Sequence, residues 1–197
     1  MKIDRLGIKL FLDQPDLTDI REVIPLFHSW IQKQAITDHL LLDVHDYSHV
    51  PDGPGILLYG HEGSFSLALR QGRLHLIYRQ HRPSDGSHEQ KLSHTLRPLL
   101  QGCLLLESYS PAGAALRFGL TESEFTVYDR LHAPNTDETL QAFEPVLSSF
   151  LRERWGVSSF HIEHLADPRR LFAVKLSVEP SPTVAELLER LENDRIN

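Results

Sequence analysis

One cysteine, no apolar run that could cross a bilayer and no clustered basic surface mark what this 197-residue chain withholds. Cys103 alone cannot form an intrachain disulfide, and its neighbours Leu104-Leu105-Leu106 predict a buried, inert thiol in a reducing compartment such as the cytoplasm. No apolar stretch approaches the roughly 18 residues of a spanning helix, and Met1-Lys2-Ile3-Asp4-Arg5 lacks the apolar centre of a secretion signal, so no membrane partner is expected. The formal charge is −7, and the densest basic spots, Arg169-Arg170 and Arg152/Arg154, each lie beside an acid (Asp167; Glu153). A nucleic-acid partner is therefore not expected either, because affinity for a phosphate backbone rests on a clustered basic surface. No G-x-x-x-x-G-K-[ST] nucleotide pattern occurs, and Ser48 lacks the strand-to-helix elbow of a hydrolase nucleophile.

What is present is ordinary in bulk and concentrated in one place. A hydrophobic fraction of 41% and a charged fraction of 24% predict a soluble α+β unit over 1–197, with internal halves 1–109 and 114–197. Twelve histidines would reverse the sign of the net charge if all were protonated, so solubility and association should respond to pH below neutrality.

Periodicity predicts the elements. Ile8 to Leu12 reads as a strand, and Asp16 offers a cap for a helix with Ile20, Val23, Ile24, Phe27, Trp30 and Ile31 on one face; Pro25 should kink it or start its second part. Leu40, Leu42 and Val44 alternate with Leu41, Asp43 and His45 as a half-buried strand, and Ile56 to His61 is the next. Phe65 to Leu69 and Leu74 to Tyr78 flank Gln71-Gly72 as a hairpin. A proline-containing helix from Leu92 should stop at Gly102, with a strand over Cys103 to Ser108 and a boundary at Ser110-Pro111-Ala112-Gly113. Arg117 to Leu120 and Phe125 to Asp129 read as a second hairpin. A helix capped by Asn135-Thr136-Asp137 and holding Pro145 should end at Gly156. Strands near Ser158 to His164 and Leu171 to Val178 follow, then a final helix opened by the capping box Thr183/Glu186, running to about Glu192 before a polar tail.

Two blocks match in spacing. Pro25 precedes Leu40 and Leu42 by the same intervals at which Pro145 precedes Phe160 and Ile162, and each block reads strand, helix, strand, strand. If they are copies, they differ at His45 to Gly55, where the second has only Leu165 to Arg170. The longer connection is where function is most cheaply added, since loops on rigid strands carry chemistry disproportionately.

That connection holds the candidate site. Asp43, His45, Asp46, Tyr47 and His49 lead into the Gly53-Pro54-Gly55 bend, and His61 and Glu62 follow the next strand. Alternation puts Asp43 and His45 on one face, where the carboxylate could orient the imidazole. His45, His49, His61 and Glu62 have the composition of a two-histidine, one-carboxylate centre for a divalent metal, although His45-x3-His49 on a loop is not diagnostic spacing. Without metal, a histidine oriented by Asp43 or Asp46, with Tyr47 or Ser48 carrying the proton, would suit acid–base chemistry. The plain alternative is that these side chains satisfy loop backbone groups and the glycines set a turn. Elsewhere, His161 and Glu163 read as an exposed strand face. Arg73, His75, Ile77 and Arg79 share a solvated face that, beside the site loop, could hold an acidic ligand.

The run Asp43-Val44-x2-Tyr47-Ser48-His49-Val50-x2-Gly53-Pro54-Gly55-x5-His61-Glu62, with Gly72-Arg73-Leu74, Tyr78 and the upstream Phe27-His28-x-Trp30-Ile31-Gln32, resembles a motif of an uncharacterised bacterial protein family of about this length. The resemblance covers residues 8 to 80, implies no activity, cofactor or partner, and adds only that the loop matters. The expectation is thus a mostly antiparallel sheet of eight to ten strands with three or four helices on one face, in two pseudo-symmetric halves. Its role is either to bind a small molecule or metal through Asp43, His45, Asp46, Tyr47, His49, His61 and Glu62, or to act as a non-enzymatic interaction or assembly module, with a protein partner or a homo-oligomer.

Overall fold

The computed structural model describes residues 3–13, 19–109, 116–167 and 169–193. Among these, eight strands form one antiparallel sheet and four α-helices pack against one of its faces. The Asp16 cap, the Ser110 to Gly113 boundary and the end of the polar tail lie outside the described residues.

The chain runs β1 (Leu6–Leu12), a 3-10 turn (Ile20–Val23), α1 (Ile24–Lys33), then the meander β2 (Leu41–Tyr47), β3 (Gly55–Gly60), β4 (Gly63–Arg70) and β5 (Arg73–Gln80), then α2 (His88–Glu107). A second passage follows with β6 (Phe118–Val127), α3 (Asp137–Phe150), a π-helical turn (Leu151–Trp155), β7 (Phe160–His164), β8 (Ala173–Val178) and α4 (Val184–Asn193). The sheet order β2-β3-β4-β5-β1-β6-β8-β7 puts the antiparallel β1–β6 pair at the seam. On each side of it a strand leads through a helix to the sheet edge, and a meander returns to pair with that strand. The two halves are therefore related topologically about the seam, the first holding one hairpin more than the second.

Alternation along the strands separates two faces. Leu6, Ile8 and Leu10 of β1, Phe65 and Leu67 of β4, Leu74, Leu76 and Tyr78 of β5 and Phe125 of β6 point toward the helices and are buried with Phe27, Trp30, Leu96, Phe143 and Trp155 in one apolar cluster. The intervening residues, among them Lys9, Ser66, Arg73, Arg79, Glu122, Glu124 and Lys175, lie on the helix-free face.

Pro25 starts the second part of its helix, one of the two expected outcomes: a 3-10 turn runs to Val23, and Pro25 occupies the first turn of α1, where its missing N–H costs nothing. Three expectations are corrected. Helix α2 does not stop at Gly102, and no strand covers Cys103 to Ser108. A Cβ at 102 would sit 3.0 Å from the Phe65 ring, so the glycine allows close approach to the sheet rather than ending the helix. Phe118–Val127 form one long strand instead of a hairpin, because Glu122 and Glu124 find cations across the sheet: Glu122 meets Arg73 at 2.6 Å and Lys175 at 2.7 Å, and Glu124 pairs with Lys9. In β2 the register slips between Leu41 and Asp43, burying Leu41 and leaving Leu40 and Leu42 in water, the reverse of the simple alternation.

Candidate functional site: a basic hollow on the open sheet face

The β2–β3 pairing fixes where each sequence candidate lies. Asp43 stands opposite Tyr59 and His45 opposite Leu57, so both are on the helix-free face, with His45 Nε2 3.7 Å from Asp43 Oδ2 and both side chains largely exposed. Asp46 points to the other face, where its carboxylate accepts the Ser48 N–H at 2.8 Å; the Ser48 side chain first, and that N–H second, hold its pKa below the ordinary carboxylate value. Tyr47 and His49 are exposed at the start of the bend. His61 and Glu62 lie at the opposite end of β3, where Glu62 accepts the Leu40 N–H at 2.9 Å and the His61 N–H donates to the Leu40 carbonyl at 2.9 Å.

The seven candidates therefore do not share one hollow. Six residue steps along β2 separate the Leu41 rung from the Tyr47 rung, about 20 Å at the usual strand rise. His45, His49, His61 and Glu62 are not brought together, because the first two lie toward the Gly55 end of the β2–β3 pair and the last two beyond its Gly60 end. Among the described residues, no group of three or more His, Cys, Asp or Glu side chains is placed to hold a metal ion.

The bend itself is tightly held. Gly55 has φ +69°, and a Cβ there would fall 2.1 Å from the Leu67 carbonyl oxygen, so only glycine fits against β4. The Arg70 guanidinium donates to the carbonyls of Asp52 and Gly53, and the Ser66 hydroxyl donates to that of Pro54. Anchored in this way, residues 48–55 form a wall between two hollows. One of about 770 Å³ lies between the bend and the 3-10 turn at Asp19–Arg21, and Tyr47 and His49 contribute to it. The other, of about 530 Å³, lies on the helix-free face of β3, β4, β5 and β1.

The second hollow carries the positive charge. Arg70, Arg79 and Lys9 line it, with His75, His81, Tyr59 and Tyr128. Tyr128 lies across β1 because residue 7 is glycine; a Cβ there would come within 2.5 Å of the ring. The Arg79 guanidinium stacks 4.3 Å from the Tyr128 ring centroid and has no carboxylate partner among the described residues. Lys9 is neutralised by Glu124, and Arg70 is bound only to carbonyls. His75 is 2% exposed, and burial, reinforced by Lys9, lowers its pKa to about 4, so the imidazole is neutral at pH 7. Burial, with Arg79 nearby, also lowers His81, whose Nε2 lies 3.0 Å from Ser64 Oγ and whose ring stacks 4.8 Å from Tyr59.

Other titratable groups are structural. The Nδ1 of His39 lies 3.0 Å from the Thr37 carbonyl, which can only accept, so Nε2 is left to accept the Tyr78 hydroxyl at 2.5 Å. Both side chains are buried, and burial pushes the Tyr78 phenol above its ordinary value. Cys103 is fully buried, and that burial raises its thiol far from the nucleophilic range. His161 and Glu163 are exposed on β7 as expected, and His164 is held by Asn135 at 2.7 Å.

Among the hollow residues, the strip Arg73, His75, Ile77 and Arg79 was visible as alternation, although Arg73 turns away to Glu122. Ser64 and Ser66, alternating with Phe65 and Leu67, carried the same signal. Tyr128 had none, since its ring comes from beyond the end of β6. No protein-family model and no curated protein matches the chain. Among the described residues, no helix is long and apolar enough to cross a membrane.

Proposed function

We propose that the chain binds a small anionic ligand, a phosphate or carboxylate compound, in the hollow on the helix-free sheet face. The observation that carries this reading is Arg79: a guanidinium fixed by stacking that has no carboxylate partner among the described residues, beside a second guanidinium that donates to carbonyls, in a protein of net charge −7. A planar fork held over an aromatic ring is pre-organised for two parallel bonds to an oxyanion. Neutral His75 adds no opposing charge, and Tyr59 with His81 offers a flat surface beside the cations. The reading is of binding: the Ser66 hydroxyl is committed to the Pro54 carbonyl, and Ser64 Oγ lies 3.0 Å from His81 Nε2 at the rim of the cations.

Thermal shift with citrate, pyrophosphate and a nucleoside monophosphate tests it. At least one should raise the melting temperature of the wild type, with affinity falling as salt rises. Arg79→Gln should weaken that binding by about tenfold to a hundredfold, the loss of one charge-assisted contact, while Arg73→Gln leaves it unchanged. No response to any of the three anions, or an equal response in Arg79→Gln, overturns the proposal.

A further inference from the structure

The strand that ends the sheet beyond β3 is not finished like the opposite edge. Among the described residues, β2 has a partner on one side only, and five of the large apolar side chains left in water gather on or beside it: Leu40 (51% exposed), Leu42 (47%), Tyr47 (39%), Val50 (40%) and Tyr59 (42%). At the other edge, Phe160 and Ile162 of β7 pack against the core, and the exposed residues of that strand are the polar His161 and Glu163. An edge with apolar flanks is a template for a further strand.

We propose that β2 pairs with β2 of a second copy of this chain, antiparallel and two-fold, with Val44 on the axis. Three features select that occupant. The Val44 N–H is bound to the Asp43 carboxylate at 2.8 Å, so the backbone donor at the centre of the strand is held by an exposed side chain that a second copy can displace. The apolar residues lie at both ends of the strand, Leu40 and Leu42 at its start, Tyr47 at its close and Val50 beyond it, and an antiparallel approach sets the start of one copy against the end of the other. The charges between them are self-complementary. With Val44 opposite Val44, Asp43 of each copy stands across from His45 of the other, giving two identical carboxylate–imidazole pairs on the helix-free face. A parallel approach would set Asp43 against Asp43. In the dimer the Asp43 carboxylate exchanges the neighbouring N–H for the imidazole of the other copy, and the two Val44 residues bond each other through their main chains. The result is a continuous sheet across two molecules, independent of the hollow and of whatever it binds.

Sedimentation of the full chain over a wide concentration range tests this. The wild type should reach the mass of two chains. His45→Asp, an exposed change that sets Asp against Asp twice, should weaken self-association about tenfold. The exchange Asp43→His with His45→Asp should restore it. Val44→Pro, which an edge strand tolerates where the N–H does not enter the ladder, should give a monomer with an unchanged circular dichroism spectrum. A wild-type monomer at every concentration overturns the proposal, as does a dimer indifferent to His45→Asp or an exchange variant that stays as weak as the single one. Because these variants leave Arg79 untouched, anion binding should survive them, and its failure would be a separate result.

Discussion

Charge state at a single buried ring sets one measurable property of this molecule. His75 lies under the hollow with its pKa lowered to about 4 from 6.5, so the native state keeps it neutral where the unfolded chain would already be protonated. As pH falls, the unfolded state takes up this proton first. The stabilisation is complete above pH 6.5, is lost between 6.5 and about 4, and does not fall further below that. The whole span is at most about 3 kcal/mol. Urea unfolding at pH 7 and pH 4.5 should therefore show a larger acid loss for the wild type than for His75→Leu; equal losses would mean that the ring titrates normally. An anion on Arg79 would work against the lowering, so the His75 imidazole signal should move to higher pH in saturating ligand.

Helix ends and strand registers follow local chemistry that the chain states openly in some places and conceals in others. Ser87 accepts the Gln90 N–H at 3.3 Å while the Gln90 side chain accepts the Ser87 N–H at 2.8 Å, closing the start of α2. Ser87→Ala should cost about 1 kcal/mol, read as a lower urea midpoint with an unchanged slope, and Ser87→Asp should recover most of it. Thr183 and Glu186 make the same reciprocal bonds at α4, and that box was legible from the residues alone. Gly102 was not. A helix-stopping glycine and a glycine that admits the Phe65 ring look identical until the sheet is in place. Thr121 to Glu124 resembled a turn because their acids are neutralised by Lys9, Arg73 and Lys175 from strands far away in sequence. The slip after Leu41 likewise depends on the pairing to β3, and it is why the face assigned to Leu40 and Leu42 came out reversed. For the site, alternation revealed the Arg79 face and placed Asp43 with His45. It could not show that His61 sits a strand length away.

At the scale of the whole molecule the seam β1–β6 joins two passages of chain around a single apolar cluster, with Trp30 on one side and Trp155 on the other. Burial of both indoles in that shared cluster predicts one cooperative transition. Trp30→Phe leaves Trp155 as sole reporter and Trp155→Phe leaves Trp30; within each variant the fluorescence and far-ultraviolet midpoints should coincide. Separate midpoints would mean halves that melt independently. The hairpin from Gly63 to Gln80 has a further consequence. A pair of strands returns the chain to the direction in which it arrived, so such a pair can be gained or lost between a crossover helix and its closing strand without reversing anything downstream. Ser64, Ser66, Arg70, His75 and Arg79 all ride on that one pair. Most of the cations proposed to bind the anion are thus carried on one removable hairpin, and the strand pairing of the rest of the plate does not dictate which side chains that hairpin presents.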